Sequence, residues 1–132
     1  ILAAALLFGP RLDAQAPTAS AEAHDAWAAD KVAALRAEGR TIFVNFTADW
    51  CITCKVNEKG ALDSARVHQA FETEKVAWLT GDWTRPDPAI TAELAKFGRN
   101  GVPLYLVYTK GAEPKVLPQV LTPDTVIDAL KE

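Results

Sequence analysis

Residues 43–55 read FVNFTADWCITCK, a β-branched and aromatic run that passes directly into two cysteines with two residues between them. From Thr41 to Phe46 the chain is apolar at nearly every position, as expected for a central strand covered on both faces. The cysteines follow at the junction with a helix expected over residues 51–62. They are the only two in the 132-residue chain.

Working outward, the spacing of Trp27, Val32 and Leu35 predicts an amphipathic helix over 27–38 that stops at Gly39. Downstream, SARVHQAFE (64–72) reads as a helix with Ser64 as N-cap. KVAWLTGDW (75–83) reads as a second strand. PAITAELAKFG (88–98) is a helix with proline in its first turn and glycine after its end, and VPLYLVY (102–108) is a third strand. Lys110 and Gly111 make a turn, so EPKVLPQVL (113–121) returns as an antiparallel strand whose prolines suit a sheet edge. TPDTVIDALKE (122–132) closes the chain as a helix with Thr122 as N-cap and Pro123 at its first position. The order α β α β α β β α is a βαβ unit followed by a hairpin. That is an α/β domain with a central mixed β-sheet flanked by helices on both faces.

Composition bounds the function. The chain is 49% hydrophobic and 23% charged, the profile of a globular domain large enough to bury a core without disulfides or metal. Fourteen basic against seventeen acidic residues give a net charge of −3 and no basic run, so the electrostatic footprint of nucleic-acid binding is absent. The opening ILAAALLF (1–8) is apolar but far short of the roughly 20 residues that span a bilayer. With no methionine in the chain, it is expected to be either the remnant of a membrane helix or the core of a signal peptide cleaved near DAQAPTASA. Residues 9–24 read as a linker and 25–132 as the folded domain. Either origin places the domain outside the cytoplasm, where disulfides persist.

Three roles for Cys51 and Cys54 can be weighed. As a staple, a ring of about four residues contributes only roughly 2 kcal/mol of chain entropy. A metal site needs about four ligands, and only His24 and His68 could join the cysteines, neither in a second paired motif; a small metal-binding module such as a copper carrier stays the alternative from a different class. Covalent haem attachment needs histidine after the second cysteine, where the chain has Lys55. The redox role uses position as well as spacing, because a thiol at a helix N-terminus is stabilised as thiolate by free N–H groups and the helix dipole. Cys51 is then the nucleophile. Cys54, one turn further in, resolves the mixed disulfide.

The stretch FVNFTADWCITCK resembles the active-site segment of thioredoxin-fold proteins, and Val102-Pro103 matches the proline, usually cis, that faces it. ADWCITCK, Glu58, GDWTRPDPAI and FGRNGVPLYLVY are more closely similar to the C-terminal periplasmic domain of the transmembrane thiol:disulfide interchange protein DsbD family, including its suppressor-of-copper-sensitivity relatives. The resemblance covers residues 27–132 and implies a thioredoxin fold with no cofactor beyond a redox-active Cys51–Cys54 disulfide. It implies a protein-disulfide reductase in the periplasm, tethered to the inner membrane. Its partners would be a membrane-embedded electron-donor domain of the same protein and a periplasmic thiol-disulfide acceptor. A free-standing secreted thioredoxin-like reductase is the alternative within the same class. Cys51, Cys54, Glu58 and Pro103 match the family's catalytic positions, but Asn45 stands where a buried aspartate is usual, which puts proton handling near Cys54 in question.

On a helix Glu58 shares a face with both cysteines, four residues after Cys54; the competing role is a solvated charge. Trp50 and Val102 are candidates for substrate binding, Trp50 as an aromatic wall and Val102 through its backbone. Asp49 and Lys55 read as solvated charges, Trp27, Trp78 and Trp83 as packing, and His68 as a surface residue.

Overall fold

The computed structural model describes residues 25–131. The expected membrane-helix remnant and the linker lie outside the described residues, as does His24. Five strands form one mixed sheet: β1 (Asp25–Ala26), β2 (Ile42–Thr47), β3 (Ala77–Asp82), β4 (Leu104–Tyr108) and β5 (Lys115–Val116). The order across the sheet is β1-β3-β2-β4-β5. β2 runs parallel to β3 with Phe46 opposite Gly81 and Thr47 opposite Asp82, and antiparallel to β4 with Asn45 opposite Tyr105. The helices are α1 (Ala29–Ala37), α2 (Ile52–Asn57), α3 (Ala65–Thr73), α4 (Pro88–Lys96) and α5 (Pro123–Ala129). A π-helical turn, Glu58–Leu62, prolongs α2.

Alternation along the strands splits the core in two. Ile42, Val44 and Phe46 join Leu104 and Leu106 beneath Val32 of α1 and Ile90 and Leu94 of α4. Phe43, Tyr105 and Val107 face the other way, onto Leu62, Val67 and Phe71 and onto Val126 and Ala129 of α5. β2 is thus buried on both faces, and its C-terminal end is where the cysteines emerge. Gly81 is required there, because a Cβ on it would collide with the Phe46 ring.

Helix ends follow the chemistry expected of them. Ser64, Asp87 and Thr122 each cap a helix with a side-chain oxygen, and Pro88 and Pro123 occupy first-turn positions. Three expectations are corrected. A two-residue strand, β1, precedes the first helix and pairs in parallel with β3; Trp27, expected to open the helix, donates its amide to Thr80 O and packs edge-on against Phe46. The returning strand shrinks to Lys115–Val116, since Pro114 and Pro118 on either side have no N–H to offer the ladder. His68 is half-buried against Trp78, with a buried Nε2. No helix among the described residues is long and apolar enough to cross a membrane.

Candidate active site

β2 ends at Thr47, and four residues, the last of them Cys51, carry the chain to α2. Cys51 is the N-cap of that helix: its backbone is extended, and its Sγ accepts a hydrogen bond from the Cys54 amide at 3.1 Å. The two sulfurs are joined as a disulfide with Cα atoms 5.2 Å apart. A sulfur in the cap position meets the unpaired amides and the positive end of the helix dipole, an environment that favours a thiolate once the bond is reduced. Cys51 retains 6% of its surface and Cys54 none. An incoming group therefore meets Cys51 first.

Val102 packs against the small cluster of Ala48, Cys51 and Cys54, and the Val102–Pro103 peptide bond is cis. Arg99 Nη1 donates to Pro103 O at 3.0 Å, tying this loop to the end of α4. Around the cysteines three large apolar side chains stand out of the surface among polar ones: Trp50, Ile52 and Val56 are exposed at 57%, 79% and 61%. Exposed large side chains clustered at one place mark a contact surface more often than scattered ones do.

Glu58 is not a free surface charge. Its side chain is a quarter exposed, its Oε2 accepts from Thr47 Oγ1 at 2.9 Å, and Lys55 Nζ lies 3.8 Å from both Glu58 and Asp49. The carboxylate is thereby tied to the end of β2 on one side and to an ammonium on the other. Asp49 and Lys55 are exposed, as expected of solvated charges.

Beneath the helix lies a polar set that sequence reasoning missed in part. Asn57, 2% exposed, donates from Nδ2 to Tyr105 Oη (2.9 Å) and Gln119 O (2.7 Å) and accepts at Oδ1 from Leu121 N (2.9 Å). Burial pushes the Tyr105 phenol up to about 12, the Asn57 hydrogen bond opposing and the Glu58 charge adding to the rise. Asn45 is equally buried, but its Oδ1 has no hydrogen-bond partner among the described residues. A signal for Asn57 existed, a polar residue three after Cys54 on the inward helical face. Thr47, at the end of β2, and Thr84, in the loop after β3, carry none. Among the described residues no group of three or more His, Cys, Asp or Glu side chains is placed to hold a metal ion.

Comparison with known proteins agrees with this geometry. A thioredoxin-like family profile matches residues 22–110. The Thiol:disulfide interchange protein DsbD of Colwellia psychrerythraea is 37% identical over 67 residues, 51% of this chain and 11% of that protein. The protein of the same name from Neisseria meningitidis is 30% identical over 90 residues, 67% of this chain and 15% of its own length. Among solved structures, the oxidised C-terminal domain of Neisseria meningitidis DsbD superposes with a TM-score of 0.64 at 28% identity, covering 80% of this chain and 95% of that domain. The match to the full-length relatives thus spans a small fraction of them.

Proposed function

Because the chain belongs to the thioredoxin-like family, we propose that it is a thiol-disulfide oxidoreductase domain that relays electrons through Cys51 and Cys54. The observation that carries this reading is the asymmetry of the pair. Cys51 caps the helix and reaches the surface, whereas Cys54 is fully buried behind it.

In the reduced domain the Cys51 thiolate attacks one sulfur of a partner disulfide, forming a mixed disulfide and expelling the first partner thiolate. Cys54 then loses its proton and attacks Cys51 Sγ, releasing the second partner thiolate and closing the Cys51–Cys54 disulfide. The partner gains two electrons and, on protonation, two protons; the domain loses both. Glu58, held near the end of β2, is the carboxylate proposed to take the Cys54 proton. Val102, packed on the cysteines, and the exposed Trp50 form the wall that a partner segment meets, with Pro103 buried behind it.

Likeness to DsbD supports the finer reading: a reductase in the periplasm, tethered to the inner membrane, reduced by a membrane-embedded domain of the same protein and oxidised by a periplasmic thiol-disulfide acceptor. Cys54→Ala should accumulate a stable mixed disulfide with such an acceptor, and Cys51→Ala should trap none. Trapping by Cys51→Ala instead would reverse the roles. A reduction potential measured against both partners fixes the direction of electron flow.

A further inference from the structure

The loop between β3 and α4 does more than join them. Asp82 Oδ1 accepts from both the amide (2.9 Å) and the hydroxyl (2.6 Å) of Thr84, a local turn that orients the threonine. The bonds leaving that turn are long-range. Thr84 Oγ1 accepts from the Asp49 amide at 2.9 Å, and Thr84 O accepts from Trp50 Nε1 at 3.0 Å. The two residues immediately before Cys51 are therefore both held by one threonine, and its hydroxyl passes the Asp49 contact on to a carboxylate. Charge-assisted bonds of this kind are stronger than neutral ones.

Trp83 completes the arrangement. Its amide donates to Thr47 O at 2.7 Å, and its indole donates to Thr91 Oγ1 at 3.0 Å. The ring stands 6.1 Å from that of Trp50, and a Cβ on Gly101 would lie 3.9 Å from it. One side chain thus leans on both segments that flank Cys51. Trp50 meanwhile has its indole N–H engaged by the Thr84 carbonyl while the residue stays 57% exposed, so what it offers to a partner is an oriented aromatic face.

We infer that Thr84, braced by Asp82, is a positioning residue that fixes Trp50 beside Cys51 and so sets the affinity of the site for protein disulfides. This rests on the proposed exchange at Cys51 and adds to it the element that favours protein over small disulfides. A small disulfide needs only the sulfur. A protein disulfide must also seat its flanking chain on the wall, and an aromatic anchor contributes most when it is already ordered before binding.

The test uses the full chain, wild type and Thr84→Val, Thr84→Ser and Trp50→Phe, with insulin as protein disulfide and bis(2-hydroxyethyl) disulfide as small one. Thr84→Val should lower kcat/KM for insulin about tenfold, through KM, and leave the small disulfide within about twofold. Thr84→Ser, which keeps the hydroxyl, should recover the wild-type value. Trp50→Phe, which keeps a ring but loses the bond to Thr84 O, should also raise KM for insulin. The Trp50 indole N–H signal, assigned by its loss in Trp50→Phe, should exchange with solvent faster in Thr84→Val. Equal losses on both substrates, or none on either, would overturn the positioning role. A wild-type chain inactive toward both disulfides would instead overturn the exchange reading itself, and the specificity role with it.

Discussion

Two buried asparagines neighbour Tyr105, one bonded to its hydroxyl and one opposite it in the sheet, and they are treated oppositely. Asn57, on α2, has three hydrogen bonds that stitch the redox helix to Tyr105 and to the segment before α5. Asn45, on β2 opposite Tyr105, leaves its Oδ1 unpartnered among the described residues. A buried polar group with every bond made specifies one packing; a buried acceptor with none costs stability wherever it sits. The contrast separates architecture from chemistry within one small volume. Asn57 holds the helix in place. Asn45 occupies the position where the family resemblance implies an aspartate, and it leaves that strand position uncharged.

The largest expected effect breaks the architectural side. Asn57→Ala removes three bonds and strands the Leu121 amide, so it should destabilise the fold by about 3–4 kcal/mol. Urea unfolding measures this. A loss below about 1 kcal/mol would mean that solvent replaces the bonds and that α2 is held by apolar packing alone.

Next comes Tyr105, which touches both sides. Its phenol, raised from 10 to about 12 by burial, is held neutral in the fold while the unfolded chain ionises first. Its contribution is complete below pH about 10 and is lost as pH rises from there to about 12, a total of roughly 2–3 kcal/mol. Tyr105→Phe should be less stable than wild type by about 1 kcal/mol below pH 10, from the lost bond to Asn57. The gap should close and then reverse as pH climbs through the window. Parallel stability curves would show that the phenol ionises as freely in the fold as outside it.

Much of this was readable in the sequence, and the limits have physical causes. The strand-cysteine-helix junction, the helix caps at Ser64 and Thr122 and the hairpin turn rest on local chemistry, which acts within a few residues. β1 was invisible because two residues carry no period, and its pairing depends on β3 some fifty residues away. His68 reads as a surface residue because the ring of Trp78 that packs on it belongs to another element. The same reasoning explains the site. Cys51 and Cys54 declare themselves by spacing, whereas Thr84 acts through partners 34 and 35 residues distant that no local pattern reveals.

Asn45 can be tested in both directions. Asn45→Val removes the orphan acceptor and should leave stability within about 0.5 kcal/mol of wild type or improve it. Asn45→Asp should cost on the order of 1–2 kcal/mol at neutral pH and raise the Cys51 pKa, because a buried carboxylate on the strand that leads to the cysteines opposes a second negative charge at the thiolate. Thiolate absorbance followed against pH reads the second effect. A strongly destabilised Asn45→Val would mean that the amide has a partner after all.

The smallest effect concerns Glu58, whose carboxylate is held at the end of β2 by Thr47 and beside Lys55. Glu58→Gln keeps the acceptor for Thr47 Oγ1 but removes the negative charge, so the fold should lose less than about 1 kcal/mol. Removing a like charge should lower the Cys51 pKa. Removing a proton acceptor should slow the attack of Cys54 on the mixed disulfide, by up to about tenfold if Glu58 acts as general base. The two effects oppose one another in a steady-state assay, since a lower pKa supplies more thiolate for the first step while the second step lags. Rapid mixing with a disulfide partner separates them, first-step rate rising or holding and release falling. If release is unchanged while the pKa still drops, Glu58 tunes the thiolate only, and the Cys54 proton leaves to water or to a group on the partner.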